Sequence, residues 1–424
     1  MRSLIGRVWL GLVVALCLTD SVFAQQSYTW QQIRDRFVAT NPTLQAARIG
    51  IDQSRAQEVT AYLRPNPDFS LTVDGFQIAP NGGMWRPFSG VVETPGVSYL
   101  HERRHKRELR LESGKNATRV AESQLADQER TLLFNLRNAF VQTLQAKAVL
   151  TLANENLSYY DQVLKLSRDR KQAGDIAQVD LDRLELQRVQ YESDIQTATV
   201  NLRNAKIQLL TLLNDRTPVE TFDVTAPFDF PDDIMTLDEL RKLALESRPD
   251  LKAAAEAIEK AKADYRLAVA NGAADPTFSV WYSHNPSFSN SFANQTVGGS
   301  VSIPLRIFDR NQGEKARTQL EIGRTERLRT AAEAQVFSDV DSAYSTVNSN
   351  LTLLRSYKSR YLAQAVRVRE TISYSYKNGG ASLLDFLQAQ QEYRSTQLNY
   401  LNLIGSYMTA ASQLNSAVGR EVIQ

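Results

Sequence analysis

The sequence predicts a mainly α protein with a smaller β part, built from one unit written twice. The first sign is internal similarity. TWQQIRDRFVATNPTLQAA (29–47) resembles TLDELRKLALESRPDLKAA (236–254), with Arg34 on Arg241 and Pro42 on Pro249. NPDFSLTV (66–73) resembles DPTFSVWY (275–282), and GDIAQVDL (174–181) resembles GGASLLDF (379–386), all about 205–209 residues apart. The second sign is two long proline-free stretches, Gly96 to Thr217 and Leu305 to Gln424. The third is a set of short alternating segments ahead of each stretch.

Residues 1–24 read as a signal peptide. Arg2 and Arg7 precede an apolar run over 8–18, and Val22 and Ala24 offer a cleavage site. Cys17, the only cysteine, would leave with it, which excludes thiol catalysis, disulfides and cysteine-ligated metal. Leu16 is too bulky for the position before a lipidated cysteine. The chain is thus expected to be exported.

The first repeat covers 25–214, a linker 215–235, and the second repeat 236–424. In each, a short helix precedes Pro42 or Pro249 and a longer one follows. Strands come next: Phe69, Leu71 and Val73 alternate, as do Phe278, Val280 and Tyr282. Val297, Val301, Ile303, Leu305 and Ile307 share one parity with Gly299 and form a return strand. Its counterpart near 91–99 reads as weaker, because Pro95 interrupts it. QIAPNGGMWRPFSG and HNPSFSNSFANQ are the loops between.

Two long helices complete each unit. One seam runs through Leu132, Leu136, Ala139, Ala146, Leu150, Ala153, Leu157, Tyr160 and Leu164. A second runs through Leu181, Leu184, Tyr191, Ile195, Ala198, Leu202, Ala205, Leu209 and Leu212. Phe386, Ala389, Tyr393, Tyr400, Leu403, Tyr407, Ala410, Leu414 and Ala417 form its copy. Such repeats specify coiled-coil packing. A helix over 103–172 would be about 100 Å long, a projecting hairpin rather than part of a compact globule. No later apolar run approaches the ~20 residues of a spanning helix. Any membrane crossing must use strands, and four are too few to close a barrel. Neighbouring subunits must then pair the edges, so the chain is expected to be an oligomer.

The chemistry-bearing motifs are few. A net charge of +2 gives no case for nucleic acid. Arg103, Arg104, Lys106 and Arg107 form a basic run without the interleaved aromatics of a nucleic-acid site, and read as a collar near lipid headgroups. His101-Glu102-Arg103-Arg104-His105 fits the zinc-protease pattern H-E-x-x-H, with His284, Glu108, Glu112 or Glu122 as third ligand. A secreted zinc metalloprotease is therefore the alternative of another class. The bland reading, a polar strand-to-helix junction, is favoured because the second unit has DRNQG there. No phosphate-binding glycine loop is present.

KNGGASLLD (377–385) breaks the helical pattern, and its twin is AGDIAQVD (173–180). Gly174, Gly379 and Gly380 suit a chain reversal, and Ser382 with Asp385 forms a capping box. Asp180 and Asp385 also favour helix N-termini. Repeated around an oligomer, Asp175, Asp180 and Asp385 would form acidic rings, held by charge pairs with Arg170 or Lys377.

Exported chain, duplicated unit, two strands then two long helices: the sequence resembles the TolC-like outer-membrane efflux proteins. YKNGGASLLDFL (376–387) is similar to the family's tyrosine–glycine–serine–aspartate pattern at the periplasmic tip. IPLRIFDRNQG (303–313) resembles the heavy-metal branch, the outer-membrane partners of cobalt–zinc–cadmium RND pumps. The resemblance implies a homotrimer in outer-membrane lipid, with a shared twelve-stranded transmembrane β-barrel and a trimeric α-barrel in the periplasm. It implies a passive conduit with no catalysis and no cofactor, coupled to an inner-membrane RND pump through a periplasmic adaptor (membrane fusion) protein. Heavy-metal cations are the implied substrate; multidrug efflux and type I protein secretion are the alternatives. The implied docking and gating residues are Gly174, Asp175, Asp180, Tyr376, Gly379, Gly380, Ser382 and Asp385. Phe308, Asp309, Arg310, Asn311, Gln312 and Gly313 mark the strand–helix junction.

Overall fold

The computed structural model describes residues 26–80, 82–231, 233–286 and 294–423. The expected signal peptide and most of the HNPSFSNSFANQ loop lie outside the described residues.

The first unit runs β1 (Gln26–Tyr28), α1 (Trp30–Thr40), α2 (Pro42–Tyr62), β2 (Asp68–Asp74), β3 (Val92–Leu100), α3 (Lys106–Gln172) and α4 (Gln178–Leu212). β4 (Phe222–Val224) follows in the connecting segment and pairs in parallel with β1. The second unit repeats the order as α5 (Leu237–Ser247), α6 (Pro249–Asn271), β5 (Thr277–His284) and β6 (Gln295–Ser302). Its first long rod is α7 (Gln312–Ser356), a π turn (Tyr357–Tyr361) and α8 (Leu362–Lys377), and α9 (Leu383–Val418) closes it.

Local chemistry sets the helix starts. Thr29 and Gln32 form a capping box for α1, and Thr236 and Glu239 form one for α5. Asn41 caps α2 by accepting from the amides of Thr43 (3.0 Å) and Leu44 (3.1 Å), with Pro42 at the first helical position. Ile33, Phe37 and Leu44 then pack on Leu136, Phe140 and Leu209. Their counterparts Leu240, Ala244 and Leu251 pack on Val336, Val340 and Leu414. α3 has 67 residues and reaches about 100 Å. Every residue of the predicted α3 and α4 seams is buried or half-buried.

The strands form one antiparallel sheet in the order β2-β3-β5-β6. Residues opposite one another share a face. Phe69, Val97 and Val280 lie in one row, and Leu71 and Pro95 in the next. Phe69, Leu71, Val97, Val280 and Val301 are exposed, giving one apolar face. The other face carries Ser70, Thr72, Ser98, Ser279 and Ser300. Trp281 lies on this face directly over Gly298, where a Cβ would come within 2.6 Å of the ring.

Two strand expectations are corrected. Pro95 does not break the return strand: β3 pairs with β2 from Val92 to Ser98, including Leu71 opposite Pro95. Only the β5 ladder skips Thr94 and Pro95, because the missing N–H interrupts one side alone. At the other end, β6 stops at Ser302, so Ile303, Leu305 and Ile307 are not strand. Pro304 and Pro276 leave no donors to extend that ladder.

Candidate functional site at the hairpin tips

The far ends of the two hairpins are the same turn. Gly174 (φ +85°) and Gly379 (φ +76°) both take the left-handed conformation that an L side chain resists. Asp175 N–H donates to Arg170 O at 2.9 Å, and Gly380 N–H donates to Ser375 O at 2.8 Å. Both are the long bond of a Schellman ending. The restarts differ. Ser382 caps α9: its hydroxyl accepts from Asp385 N–H (3.1 Å), while the Asp385 carboxylate accepts from Ser382 N–H (3.1 Å). The Ser382 hydroxyl also donates to that carboxylate at 2.7 Å, and this bond, with the one from Ser382 N–H, holds the Asp385 carboxyl below its ordinary range. In the first unit the cap position is Ala177, so Asp180 has no such partner.

A core of its own holds the tips together. Tyr160, Leu164, Leu184, Tyr191, Tyr376 and Phe386 are its buried centre. Tyr160 stacks on Tyr191 at 4.5 Å, and Tyr376 on Phe386 at 4.9 Å. Burial pushes the Tyr160 phenol up, so it stays a donor, to Leu184 O at 2.9 Å.

Several contacts near the tips tie one hairpin to the other. Arg170 donates to Tyr376 O at 2.9 Å. Tyr159 donates to the Ser373 hydroxyl at 3.0 Å. Arg394 pairs with Asp194 at 2.8 Å. The Arg369 guanidinium lies 3.9 Å from the Tyr393 ring centre and 4.7 Å from that of Tyr159. The predicted charge pairs are therefore not the ones found within a chain. Arg170 reaches a backbone carbonyl rather than Asp175 or Asp180, and Lys377 makes no ion pair with any described residue. Sequence reading missed Tyr159, Asp194, Arg369 and Arg394. Tyr159, Asp194 and Arg394 flank the apolar seams rather than occupying them, and their partners across the hairpins lie some 200 residues away in sequence.

The strand–helix junctions are braces. In the second unit, Asp309 accepts from Asn311 N–H (2.8 Å), and Asn311 sits at φ +61°. The Asn311 amide donates to Ala268 O (2.8 Å), and Gln312 accepts from Arg310 N–H (2.8 Å). Phe308 is exposed, and Gly313 has open space around its Cα. In the first unit His105 takes the same left-handed position, and α3 begins only after it.

That geometry corrects the H-E-x-x-H reading. His101 and His105 are not one helical turn apart, because the run is not helical. Both Glu102 oxygens are taken by Arg110, one at 2.9 Å. His284 lies at the opposite end of the sheet, paired with Glu93. Among the described residues no cluster of three ligating side chains could hold a metal. Three side chains of the basic run are engaged within the chain, although Arg103 and Arg104 are exposed. Lys106 is buried on Asp275 and donates to Ala273 O (2.8 Å), and Arg103 donates to Ala274 O (2.7 Å). Arg107 lies over Tyr62 and pairs with Glu108 at 2.9 Å.

No helix among the described residues is long and apolar enough to cross a membrane. The fold has known relatives. CusC, solved as a transmembrane channel, superposes with a TM-score of 0.75 over 92% of each chain, at 17% identity. The cobalt-zinc-cadmium resistance protein CzcC of Cupriavidus metallidurans is 21% identical over 382 residues, 90% of this chain and 87% of that protein. The pyoverdine export outer membrane protein OpmQ of Pseudomonas aeruginosa is 24% identical over 321 residues, 74% of this chain and 66% of that protein. The profile of one family matches residues 34–215 and again 240–420, each span covering one copy of the repeat. The duplicated sheet-and-hairpin chain belongs to the outer membrane efflux protein family.

Proposed function

We propose that the chain is the outer-membrane channel of a tripartite efflux system, a passive conduit with no chemistry of its own. The observation that carries this is the sheet. Four strands leave β2 and β6 with unpaired outer edges, and one face is an exposed apolar row. In lipid, unpaired backbone groups cost several kcal/mol each. Three copies would close the edges into twelve strands, with the apolar row toward lipid and the serine- and threonine-rich face toward water. The hairpins would then form a periplasmic tunnel ending at the glycine tips. Those tips are our assignment for adaptor docking and opening, with Gly174, Tyr376, Gly379, Gly380, Ser382 and Asp385 shaping them and Asp175 and Asp180 adding charge.

The drive would come from an inner-membrane RND pump through the periplasmic adaptor. Heavy-metal cations are the favoured substrate, from the IFDRNQG junction and the likeness to CzcC. The likeness to OpmQ supports a second reading, export of an organic molecule. A deletion strain separates them: sensitivity to zinc, cobalt or cadmium with unchanged drug tolerance supports metal, and the reverse supports organic export. Fractionation of the protein as a heat-sensitive trimer in the outer membrane tests the conduit. A water-soluble monomer would overturn it.

A further inference from the structure

The two copies of the unit differ in how they use one arginine. In the second, Arg241 of the short helix is bidentate to Asp341 of the long helix, at 2.7 and 2.8 Å. Its counterpart Arg34 makes no hydrogen bond or ion pair with any described residue. Arg34 instead lines a cavity of about 370 Å³ with Arg137 of α3 and Arg420, beyond α9.

Arg137 lies against the Trp30 ring at 4.5 Å and has no carboxylate partner among the described residues. Burial pulls its guanidinium below the ordinary value, with the charge of Glu421 opposing that. The Trp30 Nε1 is buried without an acceptor. Arg130 also borders the cavity but is engaged by Asp127 at 2.7 Å. Glu129 and Glu421 are the acidic side chains of the lining. With Arg130 paired to Asp127, Arg34, Arg137 and Arg420 stand against Glu129 and Glu421, which leaves net positive charge in a partly enclosed space. An uncompensated, half-buried guanidinium is unfavourable, and the arrangement has planar donors with no matching acceptor.

We propose that this cavity is a binding site for a small anion bearing carboxylate or phosphate groups, gripped by Arg34 and Arg137 and capped by Arg420. The bound anion takes the place that Asp341 fills in the second unit. It joins α1 to α3 and to the segment after α9, and so fastens the two units of one chain together. The cavity holds a molecule of roughly citrate size. The inference is independent of the conduit reading, since it concerns one chain and no transport.

The test uses the purified full chain in detergent. Thermal midpoints are followed against low-millimolar sodium phosphate or sodium citrate, with sodium chloride at matched ionic strength as reference. At these concentrations general salting effects are small. A saturable rise of several degrees is expected with at least one of the two anions. Phosphate alone would identify a phosphate site, citrate alone a carboxylate site. Arg137→Gln and Arg34→Gln should each remove the rise. Arg241→Gln should lower the midpoint yet keep the rise. If both anions behave as chloride does, or if Arg34→Gln and Arg137→Gln keep the full rise, the site does not exist.

Discussion

The Arg369 guanidinium is the contact between hairpins that can be measured most cleanly. Its side chain is only 17% exposed and lies between the Tyr393 and Tyr159 rings, with a single remote carboxylate, Glu370, at 3.9 Å. The Tyr393 contact is within one hairpin; the Tyr159 contact crosses to the other. A desolvated cation–π pair contributes about 1–2 kcal/mol. Arg369→Met removes both contacts while keeping the apolar stem. Tyr159→Leu removes the crossing one together with the bond to Ser373. The double mutant isolates the Arg369–Tyr159 coupling, expected at about 1–2 kcal/mol. That corresponds to roughly 5- to 30-fold faster local opening. Amide hydrogen exchange over residues 157–164 and 383–390 reads it directly. Coupling below about 0.3 kcal/mol, or faster exchange confined to the hairpin bearing Arg369, would refute a bridge between hairpins.

Other expectations follow from the same geometry. Gly379→Val forces a branched side chain into φ +76° and should destabilise the turn by about 1–2 kcal/mol or more; efflux should fail while the trimer stays in the outer membrane. Loss of the trimer instead would make Gly379 structural only. Ser382→Ala removes the α9 cap, about 1 kcal/mol, and should raise exchange in the first turn of α9 only. Phe386→Ala, at a fully buried position, should cost about 3–5 kcal/mol and loosen both tips in limited proteolysis. Asp223 gives a pH dependence. Burial pushes its carboxyl up, but Lys147 and Lys206 outweigh this and hold it below the ordinary value. A depressed folded-state pKa stabilises above the usual carboxylate range, and that stabilisation is lost as pH falls through the folded value. Thermal midpoints should therefore fall more steeply on acidification in the wild type than in Asp223→Asn.

Much of this architecture was legible because periodicity and duplication are local signals. The α3 and α4 seams, the twin turns and the Ser382–Asp385 box depend on residues a few positions apart. What escaped depends on contacts distant in sequence. Asp194 and Arg394 are 200 residues apart, and nothing near either names the other. The π turn at Tyr357–Tyr361 escaped because an extra residue in a helix shifts phase without altering composition. Pro95 misled for a related reason. The rule against proline in a strand counts donors, and it cannot say which neighbour would have used the missing one. H-E-x-x-H would need a helix to bring its histidines together, and His105 sits at φ +54° just before one begins, in keeping with the favoured strand-to-helix junction.

The two tips, alike in their reversal, differ at the restart: Ser382 caps one and Ala177 cannot cap the other. In a threefold ring this gives six tips of two kinds in alternation. A partner made of six equal subunits would face two kinds of seat in turn, so its binding should proceed in two steps. A partner made of three would find a single kind and bind in one. Broken repetition inside one chain would thus become a rule for counting any molecules that docked beneath it.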